Sequence, residues 1–415
     1  MPAKKKKRNK AAKVDVVTGA CGFSGSYLVK HLLEKGRKVR ATDLQRTHDS
    51  PAAARLRRVL DLDFKRDGVE WAASDLTRKE TLQPLFEKGD VRCLFHPASV
   101  YDYAAPWDLL KKVNIDGVTN LLDAAMAGGI DRMVHWSTCG VFGHANFPGS
   151  YLEGRPHLML TEFFWNTVIR PWGDAAFKRP GRRPTNQPMT EDRSSPRNTA
   201  GDTPEGTHFC NAYGRSKWIQ EKIVWKYHRD KGLPVTVIRP APIYGPGSDY
   251  GVTGMFIALS EGLLPIYPAG SSFLLFGGNV HARDVARAAL FVAERDEAIG
   301  EDYNVSDGCL ITHREGFEAV IRLLGRKIYF IPFPMGLWEK GVKAIAASAR
   351  WLEKTFPSTY RRSRVLDPGQ LNYLTMGVWI SNKKLRDLGF EFAYPDSRKG
   401  MADTVAWLIE TGRIQ

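Results

Sequence analysis

The stretch Val16–Leu28, VVTGACGFSGSYL, joins an apolar run to a helix-like run through three glycines placed three residues apart. Glycine disfavours a helix interior, so its repetition at a helix start indicates a special backbone geometry. Gly19 allows a sharp turn out of a strand, Gly22 lets backbone N–H groups approach a pyrophosphate, and Gly25 leaves space where helix meets sheet. A phosphate there would face the positive end of the helix. The spacing therefore predicts a dinucleotide cradle, although glycine turns without a ligand are also common.

The residues around this turn indicate which dinucleotide it holds. Phe23 and Ser24 lie between the last two glycines and are predicted to contact the cofactor. The next apolar run, Lys38–Thr42, is followed by Asp43, close to the spacing at which an acid binds the adenosine ribose hydroxyls. Its charge would repel a 2′-phosphate, so we expect NAD rather than NADP. Nearby Arg46 would weaken that preference, and a plain turn role for Asp43 is the alternative.

Apolar strand-like runs alternate with helix-like runs along the first 240 residues. This rhythm predicts crossover connections and an α/β fold, a Rossmann-like doubly wound parallel sheet with a smaller C-terminal substrate lobe. The predicted segments are strands at Val14–Thr18, Lys38–Thr42, Val69–Leu76, Val91–Ser99, Arg132–Thr138 and Pro234–Pro240, and helices at Gly22–Lys35, Val113–Met126 and Ala212–Lys231.

The same alternation of strand-like and helix-like runs predicts the domain organisation. Residues 14–240 form the NAD-binding domain, with Pro234–Pro240 as its last strand. Residues 150–210 are rich in Pro, Gly and Arg and are long for a loop, so they are predicted to be an insertion. Residues 241–415 are predicted to form the substrate-binding lobe, partly interleaved with the first domain.

Charge and cysteine content restrict the class of protein. The net charge is +15, and seven basic residues precede the first acid within residues 1–13, which predicts a disordered tail that either aids solubility or touches anionic lipid or nucleic acid. No nucleic-acid motif supports a nucleic-acid partner. Five dispersed cysteines argue against a disulfide framework or a structural metal. With no apolar run of about 18 residues, we expect a cytoplasmic protein.

The segment NAYGRSKWIQEK places Tyr213 and Lys217 four residues apart in a helix-like run, so both project from one face. A tyrosine of ordinary pKa about 10 is a poor base at neutral pH, but a nearby ammonium favours the phenolate. The pair can therefore act in proton transfer. An isolated Tyr-x-x-x-Lys pair is also common on amphipathic surface helices.

Ser137 and Thr138, in HWSTCGVFG, come at the carboxyl end of a predicted core strand. Ligands of open α/β sheets bind at this edge. A hydroxyl there could bond to a reacting oxygen or could instead cap the following turn.

These segments resemble, in order, the signature of the extended short-chain dehydrogenase/reductase superfamily. The matching stretches are TGACGFSG, SDL at 74–76, STCGVFG, YGRSK, IRPAPIYGPG and LGFEFAYP. The resemblance implies that Thr138, Tyr213 and Lys217 are catalytic and that Lys217 also holds the nicotinamide ribose. It further implies cofactor contacts from Asp75 and Leu76 at the adenine, from Ala98 after the fourth strand, and from Pro240 and Ile243 at the nicotinamide. Asn114 matches the asparagine that the superfamily carries in a helix.

Within this superfamily the chain is most similar to the 3β-hydroxysteroid dehydrogenases, including sterol-4α-carboxylate 3-dehydrogenases. That branch implies NAD-dependent oxidation of a secondary alcohol to a ketone on a lipophilic, sterol-like substrate, with decarboxylation for a 4α-carboxysterol. Residues 335–364 are both apolar and basic, so they are predicted either to touch a membrane surface or to form a solvated face. The sequence is consistent with a homodimer as well as with a monomer.

Two other classes of function are consistent with the sequence. A nucleotide-sugar epimerase or dehydratase uses the same cradle and returns its hydride to the substrate. Arginines of the insertion could then bind a diphosphate; they are Arg170, Arg182, Arg183, Arg193 and Arg197. A non-catalytic NAD sensor is the other class, but an intact set of Thr138, Tyr213 and Lys217 counts against it.

Overall fold

The structure is a computed structural model of the chain. It describes residues 13–103, 105–143, 145–146, 183–184, 189–191, 195–204, 209–248, 250–262, 265–268, 276–331, 335–356 and 377–414. The basic tail, most of the insertion, the arginines 170, 182 and 193, and the end of the amphipathic segment lie outside these residues.

Seven strands form the central sheet. They are β1 (Val14–Thr18), β2 (Val39–Asp43), β3 (Glu70–Ala73), β4 (Val91–His96), β5 (Arg132–Trp136), β8 (Val235–Pro240) and β13 (Asp302–Val305). The remaining strands pair two by two outside it: β6 (Ala145–Asn146), β7 (Arg183–Pro184), β9 (Ile243–Tyr244), β10 (Ile266–Pro268), β11 (Phe276–Gly277), β12 (Val280–His281), β14 (Tyr329–Ile331) and β15 (Val378–Trp379).

Thirteen helices are labelled among the described residues. They are α1 (Phe23–Glu34), α2 (Gln45–His48), α3 (Pro51–Val59), α4 (Lys79–Leu82), α5 (Trp107–Leu110), α6 (Gly117–Gly128), α7 (Ala212–Lys231), α8 (Val252–Ser260), α9 (Ala282–Ala293), α10 (His313–Leu323), α11 (Met335–Thr355), α12 (Lys383–Asp387) and α13 (Ser397–Glu410). A π-helical turn, Lys111–Asp116, leads into α6.

The sheet confirms the predicted Rossmann-like α/β fold. Its strand order is β13-β8-β5-β4-β1-β2-β3, and every neighbouring pair is parallel. The order reverses between β1 and β4, which is where doubly wound sheets bind their ligands. The ligand cleft is therefore expected at the carboxyl ends of these two strands.

The prediction that Pro234–Pro240 is the last strand of the sheet is wrong. β13 (Asp302–Val305) pairs with β8 and adds a seventh strand. Arg239 on β8 bonds the carboxylates of Asp302 on β13 and Glu221 on α7, each at 2.5 Å, and all three side chains are buried. Because the seventh strand comes from beyond residue 240, the C-terminal half of the chain contributes to the first domain.

Two hydrophobic layers enclose the sheet. One contains side chains of α1 and α9, and the other contains side chains of α6 and α7. The stretch LGFEFAYP is joined to the first layer by Asp284 of α9, whose buried carboxylate accepts hydrogen bonds from the N–H groups of Ala393 and Tyr394, both at 2.8 Å. This contact fixes LGFEFAYP to a helix more than one hundred residues earlier in the chain.

A further hydrophobic cluster forms the smaller C-terminal lobe. It contains residues of α8, α10, α11 and α13, centred on buried side chains such as Phe256, Tyr267 and Leu408. The described residues contain no helix that is both long and apolar enough to cross a bilayer.

Candidate active site

A cavity of about 710 Å³ opens at the carboxyl edge of the sheet, at the point where the strand order reverses. Every residue that the sequence singled out for catalysis or cofactor binding lines it. These residues are Gly19, Gly22, Phe23, Ser24, Gly25, Asp43, Asp75, Leu76, Ala98, Thr138, Tyr213, Lys217, Pro240 and Ile243. Seven segments far apart in sequence thus converge on one cleft.

The glycine turn is too tight for any side chain at its key positions. Gly19 has a φ of +60°, and a Cβ atom there would lie 2.9 Å from the Cα of Ala98. A Cβ atom on Gly25 would lie 2.0 Å from the carbonyl oxygen of Gly19. Gly22 is the N-cap of α1 and carries no side chain that could cap the helix. The first N–H groups of α1 therefore face the cavity end of the turn, as a pyrophosphate cradle requires.

Asp43 ends β2 and closes this cradle from the other side. Its Oδ2 accepts a hydrogen bond from the N–H of Cys21 at 3.1 Å, and its Oδ1 accepts one from the N–H of Leu44 at 2.8 Å. Burial raises the pKa of the carboxyl, against these two backbone donors, which lower it. Each carboxylate oxygen has a second lone pair, so Asp43 can hold the turn and also accept from ribose hydroxyls. Arg46 lines the same cavity.

The predicted helix Ala212–Lys231 is present with those bounds and places the Tyr-x-x-x-Lys pair. Asn211 caps it by accepting from the N–H of Gly214 at 2.8 Å. Tyr213 and Lys217 then lie one turn apart, both buried and both on the cavity wall. An exposed surface pair is thereby excluded.

The ammonium of Lys217 is enclosed by neutral acceptors. Its Nζ donates to Ser99 Oγ at 2.9 Å, to the carbonyl oxygen of Trp136 at 2.6 Å, and to Gln220 Oε1. Burial lowers the pKa of Lys217 to about 7, and the charge of Glu221 opposes this shift. Ser99 and Gln220 belong to no spaced motif, so the sequence does not indicate their contacts with Lys217.

Thr138 caps the 3₁₀ turn Cys139–Phe142 through a hydrogen bond from the N–H of Gly140 at 3.1 Å. A hydroxyl that accepts one bond keeps a hydrogen to donate, so capping and substrate binding are compatible. The neighbouring Ser137 Oγ is buried, lines the cavity and has no hydrogen-bond partner within the described part of the chain.

Asn114, in the π-helical turn before α6, is fully buried and joins three segments. Its side chain accepts from the N–H of Val100 at 2.8 Å and donates to the carbonyl of Val100 at 3.3 Å and to Ser216 Oγ at 3.0 Å. It thereby fixes the loop after β4 against α7. Its role is to position the loop that carries Ser99.

A group of tyrosines surrounds Tyr213, and no local pattern in the sequence predicts it. The ring of Tyr101 lies 5.0 Å from that of Tyr213 and 5.1 Å from that of Tyr250, and the ring of Tyr103 lies 5.7 Å from that of Tyr213. All four line the cavity. We call Tyr101, Tyr103 and Tyr250 the tyrosine cluster. Tyr101 is 45% exposed, so an aromatic surface is presented beside the predicted catalytic phenol.

Another part of the cavity lining comes from two segments far apart in sequence. Met189, within the predicted insertion, forms a β-bridge with Ile380, and its N–H donates to the carbonyl of Trp379 at 2.9 Å. Met189, Val378 and Ile380 line the cavity. These three side chains therefore add apolar surface to the cleft.

Among the described residues, no histidine lines this cleft. His96 and His135 are opposite one another on β4 and β5, fully buried, with ring centroids 5.5 Å apart. Burial lowers the pKa of His96 to about 3, so this side chain is neutral. His281 stacks on Tyr394 with centroids 3.9 Å apart.

The expectation that Arg197 could bind a diphosphate is not met. Its guanidinium donates to Glu301 Oε2 at 2.7 Å and to Asp302 Oδ1 at 3.3 Å, and Arg197 is not among the cavity residues. Two acids at the edge of the sheet therefore hold it. The side chain of Arg183 lies outside the described residues.

A parallel sheet with its cleft at the reversal point, a glycine cradle closed by an acid, and a buried Tyr-x-x-x-Lys pair define an NAD-dependent enzyme of the extended short-chain dehydrogenase/reductase class. The chain belongs to the NAD-binding family described as Male sterility protein, whose profile matches residues 17–279.

Known proteins are similar to it over nearly their full length. The chain is 26% identical to cinnamoyl-CoA reductase 1 of Petunia hybrida, over 98% of this chain and 95% of that protein. It is 23% identical to short-chain dehydrogenase/reductase family 42E member 1 of Xenopus laevis, over 92% and 85%. A solved UDP-glucose 4-epimerase of Thermus thermophilus in complex with NAD matches with a TM-score of 0.60 and 20% identity, covering 95% of this chain and 98% of that one.

Proposed function

We propose that the protein oxidises a secondary alcohol to a ketone with NAD, on a lipophilic, sterol-like substrate such as a 3β-hydroxysteroid or a 4α-carboxysterol. The observation that carries this proposal is the joint placement of Thr138, Tyr213 and Lys217 on the wall of one cavity that aromatic and aliphatic side chains also line. Bound NAD would supply the hydride acceptor.

The three side chains divide the proton chemistry between them. The substrate hydroxyl bonds to the Thr138 hydroxyl and to the Tyr213 phenol, which fixes the reacting carbon against the cofactor cradle. Tyr213 as the phenolate takes the hydroxyl proton. Lys217 favours that phenolate through its positive charge. A general base of this kind contributes a factor of about 10²–10⁴ to the rate.

The lining of the cleft supports a substrate with apolar ring faces. The tyrosine cluster and the wall of Met189, Val378 and Ile380 offer flat aromatic and aliphatic surface. Relatives named for ring-containing substrates, such as dihydroflavonol 4-reductase of Dianthus caryophyllus, are consistent with a ring substrate. Short-chain dehydrogenase/reductase family 42E member 1, in two species, is among the relatives.

We also propose that α11 touches a membrane surface, from which a lipophilic substrate could be collected. Leu337, Ile345, Trp351 and Leu352 are exposed apolar residues of this helix that fall on one face by helical spacing. Lys340, Lys343 and Lys354 follow one edge of that face. Exposed apolar side chains beside lysines are typical of interfacial helices. Weaker sedimentation of a Trp351→Ser variant with vesicles containing anionic lipid supports this contact, and unchanged sedimentation contradicts it.

The experiment that tests the reaction is a substrate screen with NAD. Purified protein is incubated with sterol alcohols, 4α-carboxysterols and UDP-sugars while NADH formation and product identity are followed. We expect NADH and a ketone from a sterol alcohol, and loss of turnover with nearly intact NAD binding in Tyr213→Phe. Epimerised UDP-sugar without net NADH would establish the epimerase alternative instead, and turnover in Tyr213→Phe close to wild type would remove Tyr213 from catalysis.

A further inference from the structure

The ammonium of Lys217 is unusual in having three acceptors and no carboxylate among them. They are the hydroxyl of Ser99, the carbonyl of Trp136 and the side-chain carbonyl of Gln220. An ammonium has three hydrogens to donate, so the protein itself satisfies all of them. Ser99 and Trp136 line the cavity, whereas Gln220 is behind it and fully buried.

Gln220 has no evident packing reason to be an amide. It occupies a buried position of α7 where an apolar residue would fill the same space, and its Nε2 has no hydrogen-bond partner within the described residues. A buried amide that is only half satisfied destabilises a fold. The side-chain oxygen of Gln220 does have a hydrogen-bond partner, and that partner is Lys217.

The charges around Lys217 come from four elements. Glu221 on α7 is bound to Arg239 of β8 and to Trp225, and the histidines of β4 and β5 are buried and neutral. Among the described residues, the titratable groups coupled to the ammonium are Glu221 on α7, His96 on β4 and His135 on β5. Tyr213 lies one turn away on α7, and Arg239 on β8 binds Glu221. Gln220 holds the ammonium without adding a negative charge to this set.

We infer that Gln220 is a positioning residue that fixes the Lys217 ammonium on the wall it shares with Tyr213 without itself offsetting the charge of the ammonium. The residue that holds the ammonium then does not reduce the field at the Tyr213 phenol, because a neutral acceptor does not offset a positive charge as a carboxylate would. The bond to Ser99, on the cavity side, can be exchanged for a ribose hydroxyl without loosening the lysine. This inference rests on the proposed roles of Tyr213 and Lys217.

Two substitutions separate this role from a merely structural one. Gln220→Glu keeps the shape of the side chain and adds a charge, and Gln220→Met keeps its length and removes the acceptor. Lys226→Gln is the matched control, because it makes the same change in net charge as Gln220→Glu at an exposed position of the same helix. Thermal unfolding identifies the variants that fold, and either Gln220 variant suffices for the test.

The pH profile of kcat/KM is the first measurement. In Gln220→Glu we expect the acid and alkaline limbs of the profile to move to higher pH, the acid limb by about one unit. The acid limb moves because the new carboxylate offsets the field on Tyr213, and the alkaline limb moves because the carboxylate stabilises the ammonium. In Gln220→Met we expect only the alkaline limb to move, to lower pH, because the ammonium loses an acceptor. Folded variants whose limbs coincide with those of wild type and Lys226→Gln overturn the inference.

The second measurement needs no substrate. The phenolate absorbance of each protein is titrated against that of the same protein carrying Tyr213→Phe, so the difference reports Tyr213 alone. A Tyr213 pKa at or above its ordinary value in wild type contradicts the proposed function. If the Tyr213 pKa is lowered in wild type and rises in Gln220→Glu, the role of Gln220 is supported. If the Tyr213 pKa is lowered in wild type and unchanged in Gln220→Glu, that role is overturned and the proposed function stays intact.

Discussion

The carboxylate of Asp43 accepts a hydrogen bond from the backbone N–H of Cys21 at 3.1 Å, which joins the end of β2 to the middle of the glycine turn. The predicted ribose ligand is therefore also a support of the phosphate cradle. The two roles that the sequence suggests for Asp43, a cofactor ligand and a turn residue, are therefore compatible.

Asp43→Asn should change both stability and cofactor choice. An amide has one oxygen, so one of the two backbone donors loses its acceptor, at a cost of about 1–3 kcal/mol. Removing the charge should weaken NAD binding by about tenfold and raise the relative affinity for NADP. Calorimetric titration with both cofactors and thermal unfolding measure these changes. Asp49→Asn, at an exposed site after α2, is the control, and an unchanged cofactor preference excludes Asp43 from the ribose site.

Gly25→Ala should damage the cradle, whereas Gly341→Ala should not. The new methyl group at residue 25 would lie 2.0 Å from the Gly19 carbonyl oxygen, so the turn must shift. Overpacking of this kind costs about 1–3 kcal/mol, and NAD affinity should fall with it. Gly341 in α11 has no atom within 4 Å of the added methyl, and alanine favours a helix by up to about 1 kcal/mol. Equal stability of the two variants would contradict the close approach at Gly25.

Lys217 should make the protein more stable as the pH rises above neutrality. Its pKa is about 7 in the folded chain and about 10.4 when unfolded, so between these values the unfolded state binds more protons. The free energy of unfolding then increases with pH through this window, and the penalty is fully present below about pH 7. Because Lys217 is buried, the size of this penalty is about a few kcal/mol.

Urea unfolding of wild type and Lys217→Met at pH 6.5 and pH 9 isolates this contribution. We expect Lys217→Met to flatten the rise in stability between these conditions, since other titrating groups are common to both proteins. Lys226→Gln serves as the exposed control. Parallel pH dependence in wild type and Lys217→Met would show that the lysine is not buried as described.

Arg239→Met should release the seventh strand. Burial raises the pKa of Asp302, but Arg239 and Lys384 outweigh it, so the carboxyl pKa lies below its ordinary value. Removing Arg239 leaves Glu221 and Asp302 buried beside each other without their shared cation, which costs about 3–5 kcal/mol. Arg314→Met removes an exposed pair with Glu318 and should cost no more than about 1 kcal/mol. Urea unfolding compares the two, and similar losses would contradict the role given to the buried cation.

The parts of the fold that depend on local spacing were predicted correctly. Helix α7 runs from Ala212 to Lys231 as expected, and the three glycines span the start of α1, with Gly22 as its N-cap. Such features follow from periodicity and backbone conformation within one or two turns of chain. The seventh strand was missed because the Gly- and Pro-punctuated sequence after Pro240 hides a four-residue strand whose partner is more than sixty residues away.

The sequence by itself determined the cofactor cradle, the Tyr-x-x-x-Lys pair and the parallel sheet, because each is encoded by residues close together in the chain. Only the tertiary structure decided what surrounds them. Tyr103 and Tyr250 are 147 residues apart and meet beside Tyr213, and Lys217 reaches a serine 118 residues away. No local pattern records such contacts, since they arise when separate strand ends are brought to one edge of the sheet.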